Sequence, residues 1–190
     1  NITQGSSGTF TGSEYGIHVY NKTGDTLAGS VYITTAGYIY GENSAGIYVW
    51  DPGTILDGNS IIITQTAGTI ESQSGYGIQT ANAGAGILTI TTNGTVIGGG
   101  ADGIYAQNAT GTTGDMTINQ TGGTITGTAQ GIYAENYGTG AVNITTAGDV
   151  EGVMQRGLLV NNYANGGDVN IAQTAGTIRA TNSQGVYVNN

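Results

Sequence analysis

Gly131-Ile132-Tyr133-Ala134-Glu135-Asn136 is the stretch from which the fold can be read. The same six-residue pattern opens at Gly16, Gly46, Gly77, Gly103, Gly131, Gly157 and Gly185, with successive openings 30, 31, 26, 28, 26 and 28 residues apart. It closes on Asn21, Asp51, Asn82, Asn108, Asn136, Asn162 and Asn190. A self-similar unit at a period in this range belongs to a repeat architecture, in which each unit buries its apolar face only by stacking on its neighbours.

Working outward from the hexapeptide, each repeat carries two further apolar anchors. One is a V-x-I pair, as in Val31/Ile33, Ile61/Ile63, Leu88/Ile90, Met116/Ile118, Val142/Ile144 and Val169/Ile171. The other is the apolar member of a G-x-I/V element: Phe10, Ile39, Ile70, Val96, Ile125, Val150 and Ile178. All three anchors sit in runs of four to six residues with period-two alternation and β-branched side chains, so each run predicts a short strand. Gly, Asn, Asp and Ser fill the corners between them. Hairpins give no reason for like residues to return at one register, whereas a coil that comes back to its starting side lays every strand beside its own copy. The chain therefore predicts an all-β, right-handed parallel β-helix (β-solenoid). It would have three short strands per coil and about seven coils of ~27 residues, forming one segment over residues 1–190.

Alternation assigns the faces. Ile132 and Ala134 point inward, Tyr133 and Glu135 outward, and Asn136 takes the next inward place. The seven Asn or Asp residues then form a structural ladder that can pass amide hydrogen bonds from coil to coil. Two residues beyond the V-x-I pair a second column alternates without exception: Gln4, Thr35, Gln65, Thr92, Gln120, Thr146 and Gln173. The Gln copies are usually followed by one extra corner residue, which predicts a two-coil super-repeat with wider and narrower corners taking turns.

Composition narrows function. The chain has 190 residues, with 36 Gly, one Pro, no Cys and only 8% charged residues. Three basic against twelve acidic residues give a net charge of −9, so a nucleic-acid partner is not expected, nor is direct insertion of this segment into a membrane. Polysaccharide-active chemistry needs clustered acids with a base or metal, and the only cations are Lys22, Arg156 and Arg179. Asp25, Asp115 and Asp168 each follow Gly at the variable corner, where turn solvation accounts for them better than a calcium edge does, since no calcium-loop motif is present. The lone His18 occupies an outward ladder slot and has no catalytic or metal-ligand companions in the pattern. No catalytic residue, metal or cofactor is expected.

The candidate binding surface is the outward face of the third strand. Its first column contains Tyr48, Tyr105, Tyr133 and Tyr187, and its second Tyr20 and Trp50. Tyr20, Tyr48 and Trp50 are expected to form one patch. Aromatic side chains bring large rigid area with a polar tip, suited to protein or sugar recognition, although stacking that merely stabilises a parallel face is the plainer role.

With GTI, GIYAxN and V-x-ITTAG blocks in an acidic, Cys-free, Thr/Asn/Gly-rich background, the whole chain resembles the passenger domains of type V autotransporter adhesins of Gram-negative bacteria. The resemblance implies a slice of a longer repetitive passenger at the bacterial surface. Its function would be that of an extracellular adhesin or stalk that meets a host surface protein or glycan. Self-assembly with other copies into a surface filament is the alternative, and a polysaccharide-active β-helix ranks third.

Overall fold

The computed structural model describes residues 1–21, 29–53, 58–163 and 166–190. Lys22 and Asp25 lie outside the described residues. All regular structure among the described residues is β, in three parallel sheets of seven strands each. Every coil contributes one strand to each sheet; the fourth, for example, supplies Leu88–Thr92, Thr95–Gly98 and Ile104–Asn108. Each strand pairs with the equivalent strand of the next coil, so that Leu88, Ile90 and Thr92 face Met116, Ile118 and Gln120. The hexapeptides stack in register likewise, Ile104 on Ile132 and Asn108 on Asn136. This is a β-solenoid of about six to seven turns.

The three anchors of each coil make the core. Ile33, Ile63, Ile90 and Ile118 stack in the first sheet, Ile39, Ile70, Val96 and Ile125 in the second, and Ile47, Ile78, Ile104 and Ile132 in the third, all with no solvent exposure. Burying each such side chain contributes about 1.5–3 kcal/mol. Exposure rises at the two ends of the stack. Phe10, in register with Ile39, is 37% exposed, and Val186, in register with Leu158, is 45% exposed, because outermost strands have a neighbour on one side only.

The corners are closed by side chains that imitate backbone. Asn136 accepts from the Gly138 amide (3.2 Å) and donates to the Gly140 carbonyl (2.9 Å) and to Asn162 of the next coil (2.8 Å). Asn162 repeats the step onto Asn190 at 2.7 Å, Asn82 onto Asn108 at 3.3 Å, and Asn21 onto Asp51 at 3.1 Å. A side chain needs both a donor and an acceptor at short reach to do this, which is why Asn fills the column. Asp51 accepts from Asn21 and from the Gly53 amide, but a carboxylate has no proton to pass onward.

The Gln/Thr alternation has a structural counterpart in the backbone. Gly68, Gly123 and Gly176, in the left-handed region, occur in Gln coils and supply the extra residue of the wider corner. The Gln amide donates to that same glycine's carbonyl: Gln65 to Gly68 (3.1 Å), Gln120 to Gly123 (3.2 Å) and Gln173 to Gly176 (2.7 Å). Gln65 and Gln120 also reach into the next, narrower corner, to the carbonyls of Thr95 and Asp149. The amide oxygens of Gln4, Gln65 and Gln120 and the hydroxyls of Thr35, Thr92 and Thr146 are buried without a hydrogen bond, so the Gln amide donors serve the corners and the Thr copies share the position without bonding.

Candidate functional site

The outward face of the third sheet carries two side-chain columns two residues apart, and a third row at its rim. The rim row is the residue before each opening Gly: Tyr15, Ala45, Tyr76, Asp102, Gln130, Arg156 and Gln184. At Tyr15, Tyr76 and Arg156 the rim side chain leans over the first-column residue of the following coil. Tyr15 stacks on Tyr48 with centroids 5.2 Å apart, Tyr76 meets Tyr105 at 5.6 Å, and the Arg156 guanidinium lies 4.6 Å from the centre of the Tyr187 ring. The same slot thus accepts either a phenol ring or a guanidinium.

Tyr48 packs against Tyr15 and His18 (5.1 Å), while Tyr20 and Trp50 pair separately in the second column at 5.0 Å. Within the expected patch of Tyr20, Tyr48 and Trp50 the ring contacts thus fall into two neighbouring groups. Tyr20 and Trp50 are 48% and 42% exposed and form its open part.

Tyr105 and Tyr133 lie instead in a closed network around Glu135. The carboxylate accepts from the hydroxyls of Tyr105 (2.7 Å), Tyr133 (2.9 Å), Tyr137 (2.9 Å) and Tyr163 (3.2 Å), and from the Gln107 amide (2.9 Å). Asn161 donates to the Tyr133 hydroxyl (3.0 Å), and Tyr137 stacks on Tyr163 at 4.2 Å with the rings 4° from parallel. Three successive coils are thereby tied together on their outside. Glu135 points outward, as alternation requires, yet its own cage of phenols leaves it only 8% exposed.

Burial pushes the Glu135 carboxyl up, but hydrogen bonds from Tyr105, Gln107, Tyr137 and Tyr133 together outweigh it and hold the pKa below the ordinary glutamate value. The phenols move the other way. Desolvation first, then the bond to Glu135, pushes Tyr133 up to about 12 and Tyr105 higher still. Tyr137 rises chiefly through its hydrogen bonds with Tyr163 and Glu135. Glu135→Gln removes the negative charge and should let these tyrosines ionise at lower pH. Ultraviolet titration of phenolate would read this as added absorbance between about pH 10 and 12. Superimposable titration curves for the two proteins would mean that the carboxylate does not govern the phenols.

Sequence reasoning missed Tyr15, Tyr76, Tyr137 and Tyr163. The signal was available: Tyr15 and Tyr76 directly precede an opening Gly, and Tyr137 and Tyr163 follow the ladder Asn in successive coils.

Asp115 at the variable corner accepts from the Ala141 amide of the next coil at 2.8 Å, a turn-capping contact. Arg179 pairs with Glu151 at 2.6 Å on the second sheet, away from Arg156. Among the described residues no three His, Cys, Asp or Glu side chains gather as a metal would require, and no helix is long and apolar enough to cross a membrane. No family model, no curated protein and no solved structure matches the chain. The β-solenoid stands on the strand register.

Proposed function

We propose that this chain is a non-catalytic segment of a β-solenoid displayed at the bacterial surface, a rigid rod that adheres through the aromatic face of its third sheet to a host surface protein or glycan. The observation that carries the reading is the ordered aromatic ladder on that face, open at Tyr20 and Trp50. A solenoid contributes stiffness and repetition: side chains fixed on strands about 4.8 Å apart are already ordered before a partner arrives, which lowers the entropy lost on binding. Half-exposed Tyr and Trp are also the residue types that dominate binding energy at interfaces.

The test is adhesion of beads coated with the chain to host cells and extracellular matrix, compared with the Tyr48→Ala/Trp50→Ala double variant. The variant should keep its far-ultraviolet β spectrum and lose most of its adhesion, since truncating an aromatic hot spot removes about 2 kcal/mol or more. Equal adhesive strength in both proteins would remove this face from the mechanism.

A further inference from the structure

We infer that the open Tyr20/Trp50 pair receives an arginine side chain from a basic partner protein, a deepening that rests on the adhesive reading above. Two independent observations point to a cation. First, the chain carries net charge −9, and its two described arginines are already engaged, Arg179 with Glu151 and Arg156 over the Tyr187 ring. Second, the molecule already stacks a guanidinium on this face. Arg156 occupies over Tyr187 the same rim slot that Tyr15 occupies over Tyr48 and Tyr76 over Tyr105.

Tyr20 and Trp50 belong to the second column; Trp50, flanked by a coil on each side, stays 42% exposed, and Tyr20, on the outermost strand, 48%. Trp is the ring that binds cations best, and arginine brings a planar, weakly hydrated group that can stack as well as attract. An anionic glycan or nucleic acid would meet repulsion from the same net charge. A neutral glycan would stack without using that charge, and is the rival that the test must separate.

Trp50 is the only tryptophan, so its fluorescence reports the site directly. The full chain is titrated with a Gly/Ser-spaced peptide carrying four arginines, with its citrulline and lysine counterparts, and with a neutral chitin oligosaccharide. Calorimetry follows the same series for Trp50→Ala and Trp50→Phe. The arginine peptide should perturb Trp50 emission and bind more weakly as salt rises, with lysine weaker and citrulline silent. Trp50→Ala should weaken it about tenfold, and Trp50→Phe should restore part of the loss. Equal affinity of the arginine peptide for Trp50→Ala would mean attraction to overall charge alone and would overturn the inference, as would no binding of that peptide.

Cell adhesion separates the two levels of the argument. Adhesion that persists at saturating arginine peptide, or that the oligosaccharide alone competes away, sinks the cationic partner and leaves the adhesive rod standing. Adhesion equal to that of uncoated beads sinks the adhesive rod itself.

Discussion

Gly103→Val should lower the thermal midpoint of the solenoid by roughly 6–12 °C, whereas Gly5→Ala leaves it unchanged or slightly raised. The difference lies in what a Cβ would meet. On Gly103 it would fall 2.6 Å from the Gly131 carbonyl oxygen and 2.7 Å from the Ile125 methyl, both in the next coil; on Gly5 nothing lies within 4 Å. The same collision, with the next hexapeptide's carbonyl and the next second-sheet Val or Ile, recurs at Gly77 and Gly131, which explains why the pattern opens on Gly. Val at Gly103 forces two coils apart along the line where they hydrogen-bond, so overpacking should cost about 3 kcal/mol, at about 2–4 °C per kcal/mol for a chain of this size.

In a stack whose units touch only their neighbours, damage between the fourth and fifth coils also weakens the coupling of the two halves. Differential scanning calorimetry of Gly103→Val should therefore show a broadened or split transition, where the parent and Gly5→Ala give one. A single sharp transition at the parental midpoint would refute the view that close backbone approach, and nothing subtler, selects Gly there.

The fold was legible because each of its determinants is local and repeated. Alternation within a strand places Ile132 inside and Tyr133 outside without any knowledge of the neighbours, and the constant register of the Asn column fixes which strands pair. The Gln/Thr alternation was legible as spacing, and its cause, a wider corner with a left-handed Gly, became visible only with the backbone. What escaped was whatever depended on long side chains crossing from one coil to another. Glu135 reads as an exposed acid because part of its protection comes from Tyr105 in the coil before and Tyr163 in the coil after. The rim slot escaped for the same reason, since Arg156 and Tyr187 are 31 residues apart and meet only through the lean of a corner side chain.

Asp102 is a second acid whose setting the sequence hides, and its pH dependence should be large. It follows Gly98-Gly99-Gly100-Ala101, a run that reads as open corner, yet it is only 5% exposed. Its Oδ1 accepts from the amide of Gln130, its counterpart in the next coil, at 2.9 Å. Desolvation outweighs that bond and pushes the carboxyl from 3.8 up to about 6. Below about pH 4 the folded and unfolded chains both hold this proton. Between about 4 and 6 the unfolded chain releases it while the fold still binds it, so stability falls as pH rises through that window and then levels off. The gap corresponds to about 3 kcal/mol. Glu135 works in the opposite sense: its folded pKa lies below the ordinary 4.5, so its contribution is lost on acidification below that value.

Asp102→Asn keeps an oxygen for the Gln130 amide and removes the charge that burial opposes. Urea unfolding should place it above the parent at pH 7 by up to about 3 kcal/mol, with the advantage shrinking to nothing near pH 4. Asp102→Leu is the companion variant: it also sheds the charge but leaves the Gln130 amide unpaired, at a cost of about 1–3 kcal/mol, so it should fall below Asp102→Asn at every pH. Parallel stability curves for Asp102→Asn and the parent from pH 4 to 7 would mean that the carboxylate is solvated in the fold after all. The predicted slope would instead make mild acid the condition under which Asp102 opposes folding least.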